Sequence, residues 1–174
     1  SSEEAAARHA IAYLPEHLQP SRYLKGREFI DLSLSYFGIR VGELDEDARS
    51  LALAPEALSR KIATYSKGMI QKVGLLATLL SERSLLILDE PMTGLDPRAR
   101  ILLKDRLEAY RDGGGAIFFS SHILSDIDEI CDRVAVIDGG RIVFGGTPDE
   151  MKEKFGSQSL ERAFLMALDE PRPQ

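Results

Sequence analysis

The sequence has no tryptophan and one cysteine, Cys131. A single thiol excludes an internal disulfide and a cysteine-built zinc cluster. No uncharged apolar run approaches the ~20 residues that span a bilayer, so a tie to a membrane is expected to come through a partner. No tract of lysine and arginine stands out, and the net charge is -6. The electrostatic footprint of a nucleic-acid binder is therefore missing, and direct nucleic-acid contact is not expected as the main role. Internal repeats and low-complexity tracts are absent as well. What is present is ordinary for a globular chain: 174 residues, 44% hydrophobic and 29% charged, enough for one domain with a sizeable core.

The stretch that organises the rest is Ser84-Leu85-Leu86-Ile87-Leu88-Asp89-Glu90-Pro91. A short apolar run broken by a turn signal predicts a buried parallel strand. In open α/β sheets ligands sit beyond the carboxyl ends of the strands, which would put Asp89 and Glu90 at the mouth of a site. Two carboxylates there can divide a task, one holding a metal ion and the other taking a proton from water. A strand ending in a solvated acidic turn fits the same residues.

Around it the chain alternates between strand and helix signals. Ser1 to Arg8 is Ala-rich and reads as a helix, and His9 to Leu14 as a short strand stopped by Pro15. From Glu16 to Ser66 the pattern is helical: Phe29, Ile30, Leu34 and Phe37 share one face of a helix ended by Gly38. Asp45 to Leu53 is a second helix, and Pro55 opens a third. This run predicts a helical subdomain inserted between strands. Ser66 is an N-cap for a helix to Leu80 with an apolar stripe at Met69, Ile70, Val73, Leu76, Ala77 and Leu80. Gly68 in its first turn admits close approach by another group, and a helix N-terminus can receive an anion, although an ordinary capped helix explains the same pattern. Asp96-Pro97 is an N-cap followed by proline at the first helical position, which suffices structurally. Ala116 to Phe119 predicts another buried strand, with His122 just past its end, where a histidine is either structural or catalytic. Cys131 reads as a small core residue. Asp138-Gly139-Gly140 marks a hairpin, Thr147 to Glu150 a capping box, and Ser159 to Leu168 a last helix before a frayed tail.

In this order the features resemble the ATP-binding subunit of ABC transporters. Tyr65-Ser66-Lys67-Gly68-Met69 is similar to the signature motif, Leu85 to Glu90 to the Walker B strand, Gly94-Leu95-Asp96-Pro97 to the D-loop, and Ser121-His122 to the switch histidine. Tyr13-Leu14-Pro15-Glu16 falls where the family carries its Q-loop. The ending Gly145-Gly146-Thr147-Pro148 and Ser159 to Leu165 is similar to the exporter branch with a separate membrane subunit. The signature departs at Lys67 and Met69, and Glu16 replaces a glutamine.

The resemblance implies an α/β fold of P-loop NTPase (RecA-like) type, a parallel sheet flanked by helices. Residues 17–82 would form the helical subdomain, 1–16 and 83–147 the rest of the catalytic core, and 148–174 the terminal helices and tail. It implies ATP and Mg2+, with Asp89 and Glu16 toward the metal, Glu90 as base and His122 at the γ-phosphate. Ser66, Lys67, Gly68 and Met69 would meet the nucleotide held by a second ATP-binding subunit, and Asp96 would link the two sites. An integral membrane permease is the implied partner, placing the protein on the cytoplasmic face of a membrane. The alternatives are an ABC module of translation or repair, and a degenerate chain that binds a partner without catalysis.

One absence stands against an active site within these residues. The family's Walker A loop, G-x-x-x-x-G-K-[ST], supplies the N–H groups and lysine that hold phosphate, and this sequence contains no Gly-Lys dipeptide. The chain is accordingly read as lacking the N-terminal part of its domain, with apolar strand edges exposed near Leu86 and Phe118. Phosphoryl transfer depends on positioning and electrostatics, so residues 1–174 alone are expected to bind Mg-ATP very weakly and hydrolyse none above background. Calorimetric titration checks this; micromolar binding would mean a phosphate site assembled from other residues.

Overall fold

A computed structural model describes residues 9–169 of the chain. The helix read over Ser1–Arg8 and the tail beyond Asp169 lie outside those residues. The chain divides into two compact units, residues up to Ser120 and residues from Ser121 onward.

In the first unit three strands, β1 (Ile11–Leu14), β2 (Leu85–Asp89) and β3 (Ala116–Ser120), form a sheet of order β1-β2-β3. All pairings are parallel, with Leu14 beside Leu88 and Asp89 beside Ser120. Parallel pairing sends every strand's carboxyl end to one side of the sheet. β1 starts two residues later than read, since His9 and Ala10 are helical.

Between β1 and β2 the named elements are all helical: α1 (Gly26–Ser35), α2 (Asp45–Arg49), two 3₁₀ turns at Pro55–Ser59 and Ile62–Thr64, and α3 (Lys67–Leu79). Two lengths differ from the sequence reading. α2 stops short of Leu53 because the chain turns through Ala52 with φ +52°, a left-handed conformation that a helix cannot contain. Pro55 opens a 3₁₀ turn rather than an α-helix.

α3 is the centre of this unit. Ser66 caps it, accepting the Met69 N–H at 3.2 Å. Every residue from Gln71 to Leu79 is buried, so the helix has no solvent face along that length. The stripe seen in the sequence is only part of the packing, because α1, α2 and β1 close on α3 together. Gly74 permits this: a Cβ there would lie 2.8 Å from Leu14 Cδ1, closer than carbon atoms approach.

After β2, α4 (Pro97–Asp112) begins as read, with Asp96 accepting the Ala99 N–H at 2.9 Å and Pro97 in the first turn. Ala99, Leu103 and Leu107 recur every four residues on its buried face, and the helix packs on β3.

The two faces of the sheet are unequal. Ala12, Leu14, Leu86 and Leu88 are buried. On the other face Tyr13, Ile87 and Phe118 are register partners in one row, and Tyr13 is 58% and Phe118 66% exposed. The expectation of fully buried strands is corrected here: the apolar run in β2 alternates between buried and partly covered positions, and β3 alternates between exposed and partly covered ones, with no buried residue. Leu86 is also corrected, since it points to the covered face and is fully buried.

The second unit holds α5 (Leu124–Ile130), a hairpin of β4 (Val134–Asp138) and β5 (Arg141–Gly146), α6 (Pro148–Lys154) and α7 (Leu160–Asp169). Its core is Val136, Phe144, Met151, Leu160, Ala163 and Ala167. The hairpin turn uses Gly139 and Gly140, both at positive φ (+54° and +77°), as a type I′ turn requires. Thr147 and Glu150 form the capping box of α6, at 2.8 and 3.0 Å. Cys131 is only half-buried, yet burial pushes its thiol up to about 11, so it is inert near neutral pH.

The open row on the sheet generates a solubility prediction. Phe118→Thr keeps β propensity and removes an exposed ring, and should reduce self-association of the chain by light scattering. Its denaturation midpoint should stay put, since exposed substitutions typically change stability by less than ~0.5 kcal/mol. Unchanged association would mean the exposed row is not the adhesive surface.

Candidate nucleotide site

The carboxyl edge of the first sheet gathers the acidic residues. Asp89 is the last residue of β2, and Ser120, the last of β3, is its register partner. The Ser120 hydroxyl donates to Asp89 Oδ1 at 2.6 Å and accepts the Glu90 N–H at 3.0 Å. One serine therefore fixes both members of the acidic pair. Glu90 has φ +49°, a conformation that costs a non-glycine residue about 1–3 kcal/mol. Such strain persists only where neighbouring contacts over-determine it; here they include the Ser120 hydroxyl, the Thr93 amide on the Glu90 carbonyl at 3.0 Å and the Thr93 hydroxyl, 3.5 Å from Glu90 Oε2. Glu16, two residues past β1, lies at the same end of the sheet, with His17 Nδ1 3.7 Å from its carboxylate.

The chain then loops from Glu90 to Asp96 and meets the start of α3. Gln71 Nε2 donates to the Pro91 carbonyl at 3.1 Å, and Lys72 Nζ to Asp96 Oδ2 at 3.0 Å. A Cβ on Gly68 would stand 2.7 Å from the Gly94 carbonyl oxygen. The close approach expected at Gly68 thus has an occupant within this chain, the loop itself. The Lys67 stem lies against Gly94, whose φ is +77°. Ser66, Lys67, Gly68 and Met69 together form the first turn of α3 and its cap, alongside this loop.

The first unit thus brings together Asp89, Glu90 and Ser120, and joins Ser66–Met69 to Asp96 through the loop. His122 is exposed and belongs to the second unit, two residues past β3. Ser120, Gln71 and Lys72 were not singled out from sequence. The signal for Ser120 was available: a hydroxyl at the end of one parallel strand beside an acid at the end of the next. Gln71 and Lys72 look like surface positions of a helix until its burial is known.

The donor chemistry suits a hard divalent cation. Among the described residues no three of His, Cys, Asp and Glu cluster as a metal cage. Mg2+ is commonly bound by one or two carboxylates together with substrate phosphates rather than by an all-protein cage, and Asp89 offers such a carboxylate.

A family model described as "AAA domain, putative AbiEii toxin, Type IV TA system" matches residues 7–126. Over 170 residues the chain is 34% identical to the uncharacterized ABC transporter ATP-binding protein YthP of Bacillus subtilis, covering 94% of this chain and 71% of that protein. This chain belongs to the ABC transporter ATP-binding protein family. The uncharacterized ABC transporter ATP-binding protein all4389 of Nostoc is 38% identical over 156 residues, 86% of this chain and 45% of its own length. The Nod factor export ATP-binding protein I of Sinorhizobium fredii is 34% identical, with 89% and 46% covered. A solved structure titled as the ATP binding subunit of an ABC transporter superposes with TM-score 0.86 at 31% identity, over 96% of this chain and 72% of that one. The P-loop NTPase class of the ABC fold is therefore established. The chain spans about half the length of several curated relatives it matches.

In this ABC chain the Asp96 carboxyl is held below the ordinary carboxylate range, first by the Ala99 amide and then by Lys72. A depressed folded pKa adds stability above the unfolded value and loses it as pH falls through the folded value. The wild-type chain should therefore shed stability below about pH 4. Asp96→Asn, which can still cap α4, should show a flatter acid limb in urea titrations at stepped pH. Parallel acid limbs would show that Asp96 carries no charge-dependent stability.

Proposed function

We propose that the chain is part of an ATP-hydrolysing subunit that drives an ABC transporter, of exporter type. The observation that carries the reading is the acidic pair at the carboxyl edge of the sheet, with Glu90 held in a strained turn by Ser120. A strained backbone held by its neighbours marks Glu90 as a functional position, and a carboxylate so placed beside a second acid can serve as a general base.

In this reading Glu90 takes the proton from the attacking water. Asp89, with Glu16, would hold Mg2+, which would supply neutralising charge for the phosphates. Ser66, Lys67, Gly68 and Met69 face the nucleotide of a second ATP-binding subunit from the start of α3, and Asp96 links the two sites. His122 contacts the γ-phosphate and senses its loss. The energy of closing on ATP then biases a two-state change that reaches a membrane permease. The relatives' names favour transport over a translation or repair module, and one of them is named for export.

The test is Glu90→Gln in the whole protein. Loss of a general base costs about 10²–10⁴ in rate, so turnover should collapse while ATP binding stays within a few-fold. Turnover within a few-fold of wild type would remove Glu90 from the role.

A further inference from the structure

Lys72 is the most unusual charged residue of the first unit. Its side chain is 9% exposed, on the stretch of α3 that has no solvent face. A buried ammonium is costly unless paired and hydrogen-bonded. Lys72 Nζ has both kinds of partner: Asp96 Oδ2 at 3.0 Å and the carbonyl of Ala52 at 2.9 Å. Asp96 is 24 and Ala52 is 20 residues away in sequence. Ala52 is itself in a left-handed conformation, so its carbonyl is aimed by a turn that alanine does not favour.

Stability alone does not account for this arrangement. A buried ion pair is often no better than apolar residues of the same volume, and a methionine would fill the space. Asp96 needs only Oδ1 to cap α4, where it accepts the Ala99 N–H. Its second oxygen is committed to Lys72. The loop between Glu90 and Asp96 is thus anchored at both ends, by Ser120 at Glu90 and by Lys72 at Asp96, with Gln71 holding Pro91 between them.

We propose that Lys72 is a positioning residue for ATP hydrolysis: it holds Asp96, and through it sets the Glu90–Asp96 loop against the α3 start that carries Ser66. This rests on the reading of Glu90 as the base and of Ser66 as a nucleotide contact. Lys72 touches no nucleotide in this scheme. It keeps the base and the α3 start in one fixed relation, so that a shift at either is felt at the other.

The experiment compares Lys72→Met, Lys72→Arg, Asp96→Asn and the Lys72→Met/Asp96→Asn double variant in the whole protein, with Glu90→Gln alongside. Two readouts are taken: steady-state ATPase kinetics, and amide hydrogen exchange across residues 90–96 without nucleotide. Misplacement of a reacting group by about 1 Å can cost up to about 10²-fold. Lys72→Met should lower kcat at least about tenfold on that scale, leave KM nearly unchanged, and speed exchange in the loop. Lys72→Arg should recover most of the rate, and the double variant should exchange in the loop no faster than Lys72→Met. Unchanged loop exchange in Lys72→Met overturns the proposal, as does normal kcat in that variant when Glu90→Gln is inactive. If Glu90→Gln stays active, the base assignment fails instead, and loop exchange still decides whether Lys72 holds the loop. Should Lys72→Met not fold, Asp96→Asn breaks the same link from its half-exposed end and is judged by loop exchange alone, since Asp96 has its own role between the two sites; unchanged loop exchange there overturns the proposal.

Discussion

The first unit depends on one fastening, that of the Glu90–Asp96 loop to the start of α3. A parallel strand delivers two carboxylates to the sheet edge, but the chain must then turn back to begin α4. The turn is secured by the Gln71 amide on the Pro91 carbonyl, by Lys72 on Asp96, and by Gly68, which leaves room for the Gly94 carbonyl. Two of these use buried polar side chains, which are costly when unpaired and specific when paired. The loop is therefore an extension of the buried helix rather than a free connection.

Ser120 does for the other end of the loop what Lys72 does for Asp96. By bridging Asp89 and the Glu90 amide it supports a backbone conformation that glutamate would otherwise avoid. In the proposed function this converts local strain into preorganisation: the base is aimed before substrate arrives, with little left to reorganise during reaction.

Gly68 shows how a functional and a structural explanation can share a residue. Its lack of a side chain is required by the Gly94 carbonyl. The same close contact makes the first turn of α3 and the Gly94–Asp96 segment one body. If Ser66 faces a second subunit's nucleotide, as proposed, that body would carry the contact to Glu90.

Local chemistry was readable from the sequence alone. The caps at Ser66, Asp96 and Thr147, the Gly139-Gly140 turn and the strand entering Asp89-Glu90 depend on near neighbours, and their residue types have few other uses. Motif order was sufficient for the family, because spacing along a chain survives without coordinates. What tertiary structure decided is everything that joins distant segments: the complete burial of Gln71 to Leu79, the bridge from Ser120 to both acids, and the pairing of Lys72 with Asp96 and Ala52. Periodicity reports only which face of an element is apolar. It could not tell that a lysine inside α3 is buried, because burial there comes from α1, α2 and β1 closing together. Nor could it tell that Leu86, expected with Phe118 at an exposed edge, is buried while Phe118 is open, since side chains alternate along a strand and the covering of each face is a property of the packed unit.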